Sequence, residues 1–156
     1  MDLHFLEFVA VGFFAQVVDG ALGMAYGVTS TTFLLTLGLP PAAASASVHA
    51  AEVFTTGASG LAHLTLGNVD RRLFLRLVGA GIAGAIAGAW LLTAIPANPV
   101  RLLVSLYLAA MGALILRRAV RGTPPAPPYG RLGLLGLAGG FCDALGGGGW
   151  GPIVAS

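Results

Sequence analysis

A carboxylate and a cluster of glycines interrupt an apolar run twice in this chain, and both times in the same register. The first copy is Gly12–Thr32, GFFAQVVDGALGMAYGVTSTT; the second is Gly136–Ile153, GLAGGFCDALGGGGWGPI. Superposed without a gap, Gly12 falls on Gly136, Asp19 on Asp143, Gly23 on Gly147, Tyr26 on Trp150 and Gly27 on Gly151. Glycine matches alone would mean little in a chain with 24 glycines. Asp, aromatic and Gly together in one register mean more. In a bilayer, an acid and glycines inside an apolar run mark a broken helix that lines a site.

Composition supports the bilayer. Charged residues make up 9% of the chain, against about 25% in soluble domains, and the mean hydropathy is +0.88. All eight basic residues are arginines and none clusters with aromatics, so the pI near 9.2 reports loop arginines and excludes a nucleic-acid partner. The expected fold class is an all-α integral membrane protein. It is a polytopic helical bundle of two repeats with discontinuous Gly-rich helices, the second repeat incomplete. The N-terminus, MDLHFLEFV, is acidic and lacks a basic n-region and cleavage site, so it reads as the start of an uncleaved first helix. The lone Cys142 excludes an intrachain disulfide and reads as a small apolar packer.

Taken in order, residues 1–121 form a first transmembrane unit of about four spans, 122–130 a Pro-rich linker, and 131–156 the start of a second unit. Segment one, about Leu3 to Leu37, is too long for one ~20-residue span and short for two. A helix to about Val18, a glycine-loosened centre and a second piece from about Gly27 fit it. Segment two, about Ala42 to Leu66, places Ser45, His49, Glu52, Thr56, Ser59 and His63 at alternating steps of four and three. These fall within roughly an 80° arc of one helix face, a polar seam that must face protein or a water-filled cavity. Segment three, about Leu73 to Ile95, carries the small-residue ridge Ala80, Gly84 and Gly88, suited to close helix packing. Pro96–Pro99 reads as a turn, and segment four runs from about Val100 to Leu116. Arginines after segments two and four place that side in the cytoplasm. One crossing by segment one gives four spans per unit and parallel repeats; a hairpin gives five and inverted repeats. Because the chain stops at Ser156, soon after the second motif, it is expected to be a fragment, or a half that needs a partner or a homo-oligomer.

With these residues in view, the chain resembles the sulfite exporter TauE/SafE family of membrane transporters. The resemblance rests on the twice-written Gly-rich motif, on SASVHAAEVFTTGASGLAHLTLGNVD, and on the glycine-laddered helix that follows. It covers the family's whole first half and the opening of the second. The first copy, GALGMAYG, is poorer in glycine than GGGGWG in the second. The resemblance implies transport of small sulfur-containing anions such as sulfite and sulfonates across the inner (plasma) membrane, with no enzyme activity and no cofactor.

An oxyanion needs N–H and hydroxyl donors at mid-membrane depth, and the N-terminus of a half-helix offers free N–H groups and a partial positive charge. The candidate site is therefore Asp19, Gly20, Gly23, Tyr26, Gly27, Thr29 and Ser30 from the first motif. Ser45, His49 and Glu52 join from the seam, and Asp143, Gly147, Gly148, Gly149 and Trp150 from the second motif. Asp19 and Asp143 would repel an anion if charged, which leaves helix capping, proton coupling or direct ligation open to them. No metal site is expected: His63 lies about 21 Å along the helix from His49, so a second span would have to complete one around His49 and Glu52. A passive channel or an assembly subunit is the main rival reading. An intramembrane aspartyl protease is a weaker one, since Gly140-Phe-Cys-Asp143 lacks the Gly-x-Gly-Asp signature.

Overall fold

A computed structural model describes residues 3–122 and 131–154, all helix and connecting turns, with no strand among them. Six helices follow in order: α1 (Leu3–Leu22), α2 (Tyr26–Thr36), α3 (Pro41–Thr65), α4 (Arg71–Ala94), α5 (Ala97–Arg121) and α6 (Leu132–Gly146). A single π-helical turn, Trp150–Val154, ends the described chain. The fold is a helical membrane bundle: α1, α4 and α5 are each long and apolar enough to cross a bilayer. At 25 residues, α3 has the length, but its polar seam lowers its hydropathy below theirs. All but the first residue of the Pro-rich stretch 122–130 lies outside the described residues.

Local chemistry sets the boundaries. Helix α1 runs four residues past Val18, because Gly20 is tolerated inside a helix and only Gly23, at φ +76°, turns the chain out of it. Pro40 and Pro41 open α3, where missing N–H groups cost nothing. Asp70 caps α4, its Oδ1 accepting from the N–H groups of Arg72 (2.8 Å) and Leu73 (3.1 Å). Pro99 lies within the first turn of α5, so the 96–99 stretch is largely helix rather than turn. Arg101 donates to the carbonyl oxygen of Leu39 at 2.8 Å and to that of Leu35 at 3.4 Å, placing a cation at the C-terminal end of α2.

Two features position the rest. The short α2 sits at the centre, its Val28, Leu34 and Leu35 packed with Val48 of α3, Val104 and Leu108 of α5 and Leu145 of α6. Helices α4 and α6 meet almost backbone to backbone. The ridge expected on α4 is there, extended by Gly81, and it faces a matching ridge of Gly136, Gly140 and Ala144 on α6. A Cβ on Gly136 would stand 2.8 Å from the Leu77 carbonyl oxygen, one on Gly88 would stand 2.6 Å from that of Phe141, and one on Gly140 would overlap the Gly81 backbone. With no hydrophobic force between helices in lipid, such close approach supplies the dispersion contacts that hold them together.

Gly140→Ala should therefore destabilise the bundle by about 1–3 kcal/mol, the usual cost of overpacking. Gly133→Ala on the same helix meets open space and should be neutral or slightly stabilising. Thermal unfolding of both variants in detergent checks this; equal midpoints would contradict the close packing of α4 on α6.

Candidate functional site

Each break in the apolar helices is held by the carboxylate one turn before it. After α1, Oδ1 of Asp19 accepts from the N–H groups of Ala25 (2.7 Å) and Tyr26 (2.9 Å), bridging the gap to the start of α2. After α6, Oδ1 of Asp143 accepts from the N–H of Gly149 at 2.9 Å. The backbone repeats as well. Gly23 N–H bonds Asp19 O and Gly147 N–H bonds Asp143 O, each at 2.5 Å, while Thr29 N–H reaches Ala25 O and Ile153 N–H reaches Gly149 O. Gly23 and Gly147 both have positive φ, +76° and +68°. Bonds and dihedrals thus recur at the register in which the sequence repeats. The capping acts across the break, from inside the last turn of each preceding helix, rather than from the residue just before the restart.

The two breaks touch. Gly27 is buried against the backbone of Gly147, and Met24 stands against Gly151. Beside this contact opens a cavity of about 690 Å³ between the end of α1, the start of α2, the middle of α3 and the end of α6. Asp19, Gly23, Tyr26, Gly27, His49, Glu52, Asp143, Gly147 and Trp150 line it, nine of the sequence candidates. The seam faces it through His49, Glu52, Thr56 and Ser59. No arginine lines this cavity, so its formal charge comes from acids and His49 alone.

His49 is held firmly. Its Nδ1 donates to the Ser45 carbonyl oxygen at 2.8 Å, and its Nε2 lies 3.4 Å from Oδ2 of Asp143. Ser45 is buried behind it and donates to the Ala144 carbonyl oxygen at 2.6 Å, tying α3 to the end of α6. Donor atoms of His49, Glu52 and Asp143 all lie within 4.8 Å of one another. Helix α6 is the second span that the pair on α3 lacked.

Other candidates stand apart from the cavity. Gly20 has open space around it, and Gly148 packs against Val28 and the Tyr107 hydroxyl. Gly149 serves through its N–H to Asp143. Thr29 lines a separate space beside Arg101, and the buried Ser30 faces another near Val48. The hydroxyls of Ser30, Thr31 and Tyr107 are buried without a hydrogen-bond partner among the described residues. His63 is exposed at the far end of α3. Gln16 and Thr55 line the cavity without having been singled out. Gln16 was within reach of the sequence, three residues before Asp19 on one helix face; Thr55 lies off the seam, and its exposure to the cavity depends on how α3 sits.

The sequence pattern of the sulfite exporter TauE/SafE family matches residues 8–156. The chain belongs to the TauE/SafE family. It is also 46% identical over 156 residues to the protein named probable membrane transporter protein YtnM of Bacillus subtilis (strain 168), an alignment covering 96% of this chain and 52% of that protein. The chain thus spans about half the length of this curated relative. No solved structure matches it. Family and apolar helices together make this a multi-pass membrane protein.

If the carboxylate bridges hold the breaks, Asp19→Asn keeps an acceptor for Ala25 and Tyr26, whereas Asp19→Ala leaves two N–H groups unpaired. The alanine variant should lose about 1–3 kcal/mol relative to the asparagine variant and exchange its Ala25 and Tyr26 amide hydrogens faster. Hydrogen exchange and thermal unfolding measure both effects; indistinguishable variants would contradict the capping role.

Proposed function

We propose that this chain supplies the first half, and the opening of the second, of a transporter for small sulfur-containing anions such as sulfite and sulfonates in the inner (plasma) membrane. The observation that carries the reading is the meeting of two carboxylate-capped helix breaks at a polar cavity, in a chain of the TauE/SafE family. Discontinuous helices with their ends at mid-membrane depth are how secondary transporters present backbone donors to a substrate. Asp19 takes up the first donors of α2, which leaves the N–H groups of Gly27 and Val28 ahead of the first intrahelical bond. On this reading α3 is the fourth span of the first unit.

Proton coupling follows from the same site. Asp19, Glu52 and Asp143 carry negative charge into a cavity meant for an anion. An anion beside them favours their protonation, and protonation favours the anion, so each binds better in the presence of the other. The second half of α3, from Val53 to Thr65, and most of α1 are exposed in this chain. Further helices, from a second half or a second copy, would close the cavity.

The test is transport of methanesulfonate, whose charge does not change near neutral pH, into proteoliposomes. These carry this chain joined to the C-terminal half of the Bacillus subtilis relative. With 1:1 coupling, a one-unit pH gradient, acid outside, should sustain an about tenfold anion gradient, ~1.4 kcal/mol. Asp19→Asn, Glu52→Gln and Asp143→Asn are compared singly, and loss of pH-driven accumulation in at least one is expected. Wild-type accumulation in all three would overturn the coupling and favour a passive pathway. No flux of methanesulfonate or sulfite under any gradient would overturn the transport reading.

A further inference from the structure

We propose that His49, Glu52 and Asp143 form a binding site for a divalent transition-metal cation of the zinc class. The site lies in the cavity read above as the anion's path, and its metal affinity can be measured without any transport.

Hydrogen bonding decides what His49 can offer. A carbonyl oxygen only accepts, so the 2.8 Å contact with Ser45 fixes the proton on Nδ1. The lone pair of neutral His49 then sits on Nε2, aimed at the Asp143 carboxylate 3.4 Å away. A lone pair facing a carboxylate is repulsive unless a cation stands between them. That cation can be a proton, which makes His49 and Asp143 an ion pair, or a metal, which must displace the proton to bind. A tetrahedral metal with metal–nitrogen and metal–oxygen bonds of about 2.0–2.2 Å holds two ligand atoms about 3.4 Å apart, the separation seen.

The surroundings fit a metal in three further ways. First, the ring N–H of His49 goes to a backbone carbonyl and the other oxygen of Asp143 accepts from Gly149, so both ligands are oriented by outer partners. Second, Glu52 is three residues from His49 on the same face of α3, and its carboxylate oxygen lies within 4.8 Å of the other two donors. Third, two carboxylates and a neutral imidazole balance a dication, in a cavity that no arginine lines. The imidazole selects zinc-class metals over Mg2+ and Ca2+. Three protein ligands leave a fourth position open, and here it would give onto the cavity.

The test is titration of the purified chain, carrying no histidine tag and held in nanodiscs, with Zn2+ and with Co2+. One equivalent of Zn2+ per chain and a tetrahedral Co2+ absorption band are expected, with millimolar Mg2+ unable to displace either. His49→Gln and Asp143→Asn should each weaken binding at least as much as loss of an outer partner does, about 10–100-fold. Asp143→Asn keeps an acceptor for Gly149, and a wild-type circular dichroism spectrum and elution volume show that a loss is not unfolding. His63→Gln, at the far end of α3, should bind like wild type. Absence of stoichiometric binding, displacement by Mg2+, or binding that depends on His63 and not on His49 would overturn the site. None of these results bears on whether the protein moves anions.

Discussion

A bilayer leaves a peptide N–H nowhere to turn but to protein, and each unpaired group there costs several kcal/mol. A helix interrupted inside a membrane protein therefore needs an acceptor for the donors it exposes. Asp19 and Asp143 supply it, each reaching from the last turn of one segment to the start of the next. The cavity opens beside the contact of the two breaks that those bridges span. With a carboxylate tied to the backbone on one oxygen, the second oxygen of Asp143 is left to face His49.

Glycine does the complementary work. Between α4 and α6 it removes the side chains that would keep two backbones apart, and at Gly27 and Gly147 it lets the two breaks meet. The two motif copies differ in what surrounds them. The glycine face of α6 is packed on α4, whereas Gly12 and Gly20, at matching places on α1, meet open space. The repeat thus recurs in its main bridge, Ala25 to Asp19 and Gly149 to Asp143, but the Tyr26 bond has no counterpart at Trp150 and the packing differs.

Much of this was legible in the sequence, because membrane helices obey few rules and obey them strictly. The motif register marked the breaks, the steps of four and three along α3 marked the face that lines the cavity, and the small-residue ridge marked one side of the closest helix contact, though not its partner α6. Helix ends were less legible. A glycine such as Gly20 stays helical or not according to its φ, which composition does not state. Pro99 looks like a breaker until it falls in a first turn, where it is tolerated. The π-helical turn at 150–154 has no signature of its own. Nor does spacing say which residue of another helix comes to His49; that Asp143 does so follows from the glycine contact of α6 with α4, which sets the depth of α6 in the bundle. Thr29 and Ser30, close to the break in sequence, turn away because α2 winds them onto other faces.

The whole site rests on the two breaks facing each other. Met24 and Gly151 measure it most directly, since Cβ of Met24 lies 2.5 Å from where a Cβ on Gly151 would stand. An outward shift of about 1 Å brings a cysteine pair there to disulfide spacing. In a Cys142→Ser background, Met24→Cys with Gly151→Cys should oxidise to an intrachain disulfide in the membrane, visible as a reducible mobility shift. Gly12→Cys with Gly151→Cys should not. If the first pair stays reduced under oxidant while both thiols remain reactive, the breaks do not meet and the site built on them is wrong.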